Sequence, residues 1–320
     1  MVWDVLFIVL GVYLVLRGAD WLTNGASSLA RRMNVPEIVI GLTIVAAGTS
    51  APELFVSIVS ALKGTPDMAV GNVIGSNTMN SMLIVGVAAM VAPMTISRGT
   101  VKKDIPFAVA ASLLLMGIAF DSFLSRIDGI ILLLSFTAFL VYSLREAGGQ
   151  KQEVSEMSTS EESAPKLFSH LSPLTTHLLY IIGGLLGLVV GSNVFVDHAS
   201  NLALSLGISE GVVGLTVVAG GTSLPELATT VVAARKGQSA IAIGNVIGSN
   251  VFNILLILGL TATISPLQIE GITIIDMAVM LVSIFLVWLF SRTRYTVERW
   301  EGAVLVVGYL AYLTWLIMSL

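Results

Sequence analysis

The chain has 320 residues, of which 55% are hydrophobic and 11% charged, and its formal net charge is −4 at pH 7. Ordinary soluble domains carry about a quarter charged residues, so this composition excludes a soluble protein and indicates a membrane protein with several spans. The absence of cysteine excludes disulfides, thiolate metal sites and cysteine nucleophiles. No basic patch suited to nucleic acid is present.

Ten apolar stretches are candidates for transmembrane helices, because about 20 apolar residues are needed to cross a bilayer. The first has no basic segment before it and no small-residue cleavage site after it, so we expect no cleavable signal peptide. The sequence therefore predicts an all-α membrane protein with ten transmembrane helices, at about 3–23, 37–62, 67–92, 104–120, 127–144, 174–196, 210–234, 239–263, 273–290 and 300–319.

The only long polar stretch, residues 145–172, separates the fifth and sixth predicted spans. It is rich in Glu, Ser and Lys, which is typical of a flexible linker. We therefore predict two five-helix halves, residues 1–144 and 173–320, joined by this segment.

Basic residues fall mainly on one side of the predicted membrane. Only Lys63 and Arg126 fall on the other side, and Arg17 lies inside or at the end of the first span. Since cytoplasmic loops are enriched in Lys and Arg, we expect a multi-pass protein of the cell membrane with a cytoplasmic linker and both termini outside. The residues on the crowded side are Arg31, Arg32, Arg98, Lys102, Lys103, Arg145, Lys151, Lys166, Arg235, Lys236, Arg292, Arg294 and Arg299.

Two segments of the chain are copies of one sequence. Residues 41–80 read GLTIVAAGTSAPELFVSIVSALKGTPDMAVGNVIGSNTMN, and residues 214–253 read GLTVVAGGTSLPELATTVVAARKGQSAIAIGNVIGSNVFN. About 24 of the 40 positions are identical at a constant offset of 173 residues, which takes Glu53 to Glu226. Because each half has an odd number of spans, the second half is expected to be inverted, as in many secondary transporters.

A break in the helix is predicted at residues 48–53, Gly-Thr-Ser-Ala-Pro-Glu, and at their counterparts 221–226, Gly-Thr-Ser-Leu-Pro-Glu. Pro52 has no N–H for the carbonyl of Gly48, and its ring crowds the preceding turn. The carbonyls of residues 46–49 should then lack partners, which is tolerated at membrane depth only inside the protein or beside a wet cavity. Glu53 follows the break directly, and an ionisable residue within a span indicates a functional site.

Each break gathers carboxylate, hydroxyl and carbonyl oxygens, which select hard cations over soft metals. Calcium takes six to eight such oxygens in flexible geometry. Two facing glutamates repel each other unless a divalent cation, several monovalent ions or protons offset their charge. Competition between Ca²⁺ and Na⁺ for one such cage would be sufficient for an exchanger. These ions would be cargo, and no resident cofactor is expected.

A second duplicated element, Gly-Asn-Val-Ile-Gly-Ser-Asn, follows each break at residues 71–77 and 244–250. Its glycines allow close approach of a neighbouring helix, and packing is the ordinary interpretation of that spacing. Neutral side-chain oxygens at helical spacing are added by Ser76, Asn80, Ser249 and Asn253.

Glycines also form a smooth stripe on the first and sixth predicted spans. Tight helix packing is the ordinary interpretation. Such a face could also slide, which would suit a moving pair of helices. The glycines are Gly11, Gly18, Gly183, Gly187 and Gly191.

Other functions fit these features less well. A proline kink beside a protonated glutamate could be a structural hinge, but its repetition with the same hydroxyls favours a binding site. A channel is disfavoured by the inverted repeats and the lone central cluster. An intramembrane enzyme would need a Ser–His or paired Asp arrangement, whereas His170, His177 and His198 lie near the linker or at predicted helix ends. We therefore expect no enzyme.

The paired GTSAPE and GTSLPE motifs, each followed by GNVIGSN, resemble the two repeats of the sodium/calcium exchanger family within the cation/calcium antiporter superfamily. The resemblance covers both halves and is greatest to compact archaeal and bacterial members, because the linker lacks a large regulatory insert. It implies a ten-helix fold that binds ions between the second, third, seventh and eighth spans. It also implies that the first and sixth helices slide to switch access.

The resemblance also implies residue roles. Glu53 and Glu226 would bind Ca²⁺ together with the carbonyls of Thr49 and Thr222. Asn80 would lie with its counterpart Asn253 at the middle of the cluster. Sodium sites would use the hydroxyls of Ser50, Ser76, Ser223 and Ser249 and the carbonyls of Ala46 and Ala219.

One position departs from the pattern of some relatives, including potassium-dependent ones, which carry Asp where this chain has Asn253. Two carboxylates then remain, which argues against potassium co-transport. The leading interpretation is Na⁺/Ca²⁺ antiport by alternating access, normally exporting Ca²⁺. A proton- or potassium-coupled Ca²⁺ antiporter of the same fold stays open. Besides these ions and the lipid bilayer no obligatory partner is expected, and the chain is predicted to be monomeric.

Overall fold

The computed structural model describes residues 1–149, 173–206 and 219–319, which are almost entirely helical. In chain order the elements are α1 (Val2–Met33), α2 (Glu37–Thr49), α3 (Ala51–Leu62), α4 (Pro66–Val91), β1 (Met94–Thr95), α5 (Arg98–Lys102), α6 (Asp104–Ile118), β2 (Phe123–Leu124), α7 (Arg126–Gly149), α8 (Pro173–Ser205), α9 (Ala219–Thr222), α10 (Leu224–Arg235), α11 (Ser239–Ile264), β3 (Leu267–Gln268), α12 (Ile274–Arg294), β4 (Thr296–Val297) and α13 (Arg299–Ser319).

Seven of the described helices are individually long and apolar enough to cross a membrane, namely α1, α4, α7, α8, α11, α12 and α13. The pair α2–α3, bent by 46°, forms an eighth candidate. The predicted span at 104–120 is the helix α6, whose 15 residues extend only about 22 Å. Part of the predicted span at 210–234 lies outside the described residues. The chain is thus an all-α membrane protein, and the count of ten spans stays a prediction.

The centre of the molecule is formed by α4 and α11. In their most apolar stretches 78% and 94% of the residues are buried, against 22% in α1 and 17% in α13. These two helices carry the duplicated Gly-Asn-Val-Ile-Gly-Ser-Asn element. The small residues and amides of this element therefore lie in the interior, while many large apolar side chains of the outer helices are exposed.

The helices α1 and α8 pack against each other along a glycine stripe. A Cβ atom added at Gly18 would lie 2.6 Å from the backbone nitrogen of Leu188, and one added at Gly184 would lie 2.6 Å from that of Leu22. Gly11 and Gly191 approach each other in the same way, at 2.8 Å from the opposite carbonyl oxygen. The predicted close packing of these helices is confirmed.

The four short strands form two pairs related by the repeat. In the first pair Met94 lies opposite Val297, and in the second Leu124 lies opposite Leu267. The offset of 173 residues turns one pair into the other, because it takes Met94 to Leu267 and Leu124 to Val297. The two halves are therefore joined by reciprocal contacts.

Several predicted boundaries differ from the structure, and α8 continues from the predicted end at residue 196 to Ser205. α1 continues from residue 23 to Met33, because polar residues of its last turns such as Ser27 are buried within the protein and need not meet lipid. α7 continues to Gly149, past the predicted end of the first half at residue 144. The remaining linker residues, 150–172, lie outside the described part of the chain.

Candidate ion-binding site

Both predicted breaks are present, and each places a glutamate in the first turn of the following helix. Ser50 separates α2 from α3 with φ −83° and ψ 7°, and Ser223 separates α9 from α10 with φ −89° and ψ 7°. Proline stands at the start of both following helices. Glu53 and Glu226 are each only 1% exposed. The breaks therefore deliver two carboxyl groups to the protein interior.

The two motifs contact each other through reciprocal hydrogen bonds. The hydroxyl of Ser50 donates to Oε1 of Glu226 at 3.0 Å, and that of Ser223 donates to Oε1 of Glu53 at 3.2 Å. Each carboxyl group is thus held by the serine of the opposite repeat. The structure brings the two halves of the duplicated motif together at one place.

The central amides Asn80 and Asn253 are both 1% exposed and lie where the two central helices widen into π-helix. The π-helical stretch of α4 spans Asn80–Ile84, and that of α11 spans Phe252–Leu258. Such widenings recur at functional sites because they turn side chains out of the regular helical register. The sequence contains no signal that predicts them.

Four acceptor oxygens of these residues are buried without a hydrogen-bond partner. They are Oε2 of Glu53, Oε2 of Glu226, Oδ1 of Asn80 and Oδ1 of Asn253. Among the described residues no Lys, Arg or His forms an ion pair with either glutamate. Unsatisfied buried acceptors are costly, so this set of hard oxygens is suited to a cation.

The predicted serine ligands Ser76 and Ser249 are also buried at this place. Oγ of Ser249 lies 3.5 Å from Oε1 of Glu226, at the outer limit of a hydrogen bond. Oγ of Ser76 accepts from Nδ2 of Asn253 at 3.0 Å. Both hydroxyls therefore contact residues that carry one of the four unpartnered oxygens.

The predicted carbonyl ligands are placed next to the breaks, but one expectation about them is wrong. The carbonyl of Ala46 accepts from the N–H of Ser50 at 3.0 Å and from the hydroxyl of Thr49 at 3.4 Å, because the last helical turn closes before the break. The carbonyl oxygen of Ala46 has a second lone pair, with which it could still bind a cation. In the second repeat, Ala219 and Thr222 are the two ends of α9, immediately before Ser223.

Two asparagines that the sequence analysis did not assign hold the breaks in place. Nδ2 of Asn72 donates to the carbonyl of Glu53 at 3.1 Å and to the hydroxyl of Ser57 at 3.0 Å. Nδ2 of Asn245 makes the matching contacts with the carbonyl of Glu226 and the hydroxyl of Thr230.

Asn245 also links the repeats, because its Oδ1 accepts from Thr49 at 3.0 Å. Within the second repeat, Ser192 of α8 donates to the carbonyl of Gly221 at 2.6 Å. The presence of Asn at the same position of both repeats, at 72 and 245, indicated a role for these residues. Their partners could not be predicted because they depend on the fold.

The sequence profile of the family described as "Sodium/calcium exchanger protein" matches residues 3–145 and 176–318. The chain belongs to the sodium/calcium exchanger family. It is 37% identical to the inner membrane protein YrbG of Escherichia coli, over 97% of this chain and 95% of that protein. It is 33% identical to the sodium/calcium exchanger MaX1 of Methanosarcina acetivorans, over 96% and 97% of the two chains.

The fold is that of a solved member of the family. The structure of the sodium-calcium exchanger NCX_Mj soaked with Na⁺ and Ca²⁺ superposes with a TM-score of 0.85 at 31% sequence identity, covering 98% of each chain. The chain is therefore a cation/calcium antiporter, a transporter rather than an enzyme. The family implies Na⁺ and Ca²⁺ as its transported substrates.

Proposed function

We propose that this protein exchanges Na⁺ for Ca²⁺ across the cell membrane by alternating access, normally exporting Ca²⁺. The observation that carries the proposal is the set of four buried, unpartnered oxygens on Glu53, Asn80, Glu226 and Asn253. Two carboxylates without a basic partner cost several kcal/mol in a protein interior unless a cation offsets them. One Ca²⁺ or several Na⁺ would each supply that charge, so the two ions would compete for the same oxygens.

For the residue roles we propose those that the family resemblance implies, and the contacts described above support them. Glu53 and Glu226, with the carbonyls of Thr49 and Thr222, would form the Ca²⁺ site, and Asn80 and Asn253 would lie at its middle. Na⁺ would use the remaining predicted oxygens, which belong to Ser50, Ser76, Ser223, Ser249, Ala46 and Ala219. The reciprocal serine–glutamate contacts support a site shared equally by the two repeats.

The reciprocal contacts of the strands and motifs also support an inverted ten-helix repeat. The distribution of basic residues supports termini outside and a cytoplasmic linker. Each half would then offer the same site to opposite sides of the membrane. A single chain contains the whole site, which supports a functional monomer. The names of MaX1 and of the NCX_Mj structure favour sodium as the coupling ion.

The test is calcium uptake by purified protein in lipid vesicles. We expect uptake when Na⁺ is present inside only, and none when Na⁺ is equal on both sides. Proton and potassium gradients are clamped separately by ionophores. Uptake that ignores the sodium gradient and follows pH or potassium would refute sodium coupling and favour the other antiporter.

A further inference from the structure

The central amides present oxygen to the proposed ion site only in one of their two orientations. An asparagine side chain has an acceptor oxygen on one side and a donor NH₂ group on the other. A cation is stabilised by the oxygen and repelled by the NH₂ group. Some neighbouring group must therefore determine which end of Asn80 and Asn253 faces the ion.

For Asn253 the neighbouring groups are Ser76 and Asn77. Nδ2 of Asn77 donates to the backbone carbonyl of Asn250 at 3.1 Å. Because a carbonyl can only accept, Oδ1 of Asn77 must point the other way, where it accepts from Nδ2 of Asn253 at 3.0 Å. The Asn77 side chain, 1% exposed, has no solvent to take over either bond.

Ser76 independently favours the same orientation of the Asn253 amide. Its hydroxyl donates to the backbone carbonyl of Asn72 at 2.7 Å, so only its lone pairs are available to Asn253, at 3.0 Å. Two acceptors thus face one end of the Asn253 amide. Its NH₂ group must turn towards them, and its oxygen is left towards the ion site without a partner.

For Asn80 the neighbouring group is Asn250. Oδ1 of Asn250 accepts from Nδ2 of Asn80 at 3.2 Å, while Nδ2 of Asn250 donates to the hydroxyl of Ser81 at 2.8 Å. Oδ1 of Asn80 is again left without a partner. Asn77 and Asn250 are repeat counterparts. Asn77 of the first repeat orients Asn253 of the second, and Asn250 of the second repeat orients Asn80 of the first.

We propose that Asn77 and Asn250 are positioning residues that fix the central amides with oxygen, and not nitrogen, towards the transported cation. The inference rests on the proposed function in that it takes the cation to lie against these oxygens. Neither residue would touch the ion itself. They would determine the apparent affinity of the site by keeping nearly every molecule in the one orientation that binds.

The test is a double-mutant cycle between Asn77→Ala and Asn253→Asp in the vesicle assay. Asn77→Ala should raise the KM for Ca²⁺ about ten-fold, more than it lowers the maximal rate, because a coupled buried pair is broken. A carboxylate has oxygen at both ends and needs no orientation. In the Asn253→Asp background Asn77→Ala should therefore not raise the KM, since it removes an acceptor oxygen that faces one oxygen of the new carboxylate.

An equal rise of the KM in both backgrounds would show that Asn77 has only a structural role and would overturn the proposal. The matched control is Thr78→Val. Thr78 is fully buried on the same helix, donates only within that helix to Ile74, and has Val251 as its repeat counterpart. Its substitution should leave the KM for Ca²⁺ unchanged.

The reciprocal cycle of Asn250→Ala with Asn80→Asp keeps the test available should Asn77→Ala fail to fold. A wild-type protein that Ca²⁺ stabilises against heat, but that carries out no sodium-driven uptake, would refute the proposed function alone. In that case the same mutant cycles would be measured as the rise in Tm that Ca²⁺ causes in each variant. A ligand that binds only the folded state raises its stability, so these shifts would decide the amide orientation.

Discussion

Replacing either Glu53 or Glu226 by glutamine is expected to abolish sodium-driven calcium uptake in vesicles. Each carboxyl group is 1% exposed, has one oxygen without a partner and is held by a serine of the opposite repeat. Glutamine preserves the shape but removes a full negative charge from the Ca²⁺ site. Since removing one partner of a buried charge pair costs about 3–5 kcal/mol, the loss of apparent affinity should exceed about 100-fold.

The matched control for both variants is Glu37→Gln. Glu37 lies at the start of α2, is half-buried, and accepts a hydrogen bond from Ser27 outside the four-oxygen set. Its substitution should leave uptake within about two-fold of wild type, as expected for a residue away from the site. Normal uptake by both Glu53→Gln and Glu226→Gln would show that these glutamates do not form the ion site.

The duplicated sequence was sufficient to predict the breaks and the two buried glutamates. Pro52 and its counterpart Pro225 lack the N–H that a continuous helix needs, so the chemistry of a single residue type fixes the location of each break. The apolar runs likewise predicted seven spans that the structure describes as long helices. These features depend on local sequence, which is why they could be derived without coordinates.

Features that depend on two distant segments were not predictable in the same way. The sequence offered Asn72 and Asn245 as repeated residues but did not show that Asn245 binds Thr49, 196 positions away. The π-helical stretches beginning at Asn80 and Phe252 likewise result from packing of the central helices. The carbonyl of Ala46 was wrongly expected to lack a partner, because a helix can close its last turn before a break.

Replacing Lys236 by methionine is expected to shift the balance between the two access states by about 30-fold, measured as the ratio of apparent Ca²⁺ affinities at the two membrane faces. Nζ of Lys236, at the end of α10, lies 2.5 Å from Oδ1 of Asp20 and 2.7 Å from Oδ1 of Asn24. It also donates to the hydroxyl of Thr23 at 3.1 Å. One ammonium group thus fastens α10 to α1.

The size of this effect follows from the partial exposure of the pair. Lys236 is 21% and Asp20 33% exposed, so the pair lies between exposed ion pairs, worth about 0–1 kcal/mol, and buried ones, whose disruption costs about 3–5 kcal/mol. A contribution of roughly 2 kcal/mol corresponds to the 30-fold shift. The neighbouring Arg235 is exposed, and Arg235→Met should leave the balance unchanged.

The repeat contains a second set of the same groups that is not in contact. Lys63 is the counterpart of Lys236, and the offset takes Asp20 to Asn193 and Asn24 to Asp197. The acid and the amide are exchanged, but both remain one helical turn apart. Lys63 and Asp197 are exposed, and neither side chain forms a hydrogen bond or ion pair with the described residues.

If the two repeats exchange conformations when the site opens to the other side of the membrane, Lys63 should contact Asp197 in that second state. Asp197 lies on α8 two residues beyond Phe195, which packs beside Gly11 of α1. Asp20 is nine residues further along α1, so the two acids are roughly 15–20 Å apart along the helix pair. If the α1–α8 pair slides, the contact of Asp20 with Lys236 would break as the contact of Asp197 with Lys63 forms.

Chemical cross-linking can test this exchange directly, because the chain has no cysteine of its own. Cysteine pairs at positions 20 and 236, and separately at 63 and 197, are treated with a short bifunctional thiol reagent. We expect both pairs to react, each to arrest calcium uptake, and Lys236→Met to increase the yield at 63 and 197. Absence of the second cross-link, or continued uptake after it forms, would show that Lys63 takes no part in the exchange of access.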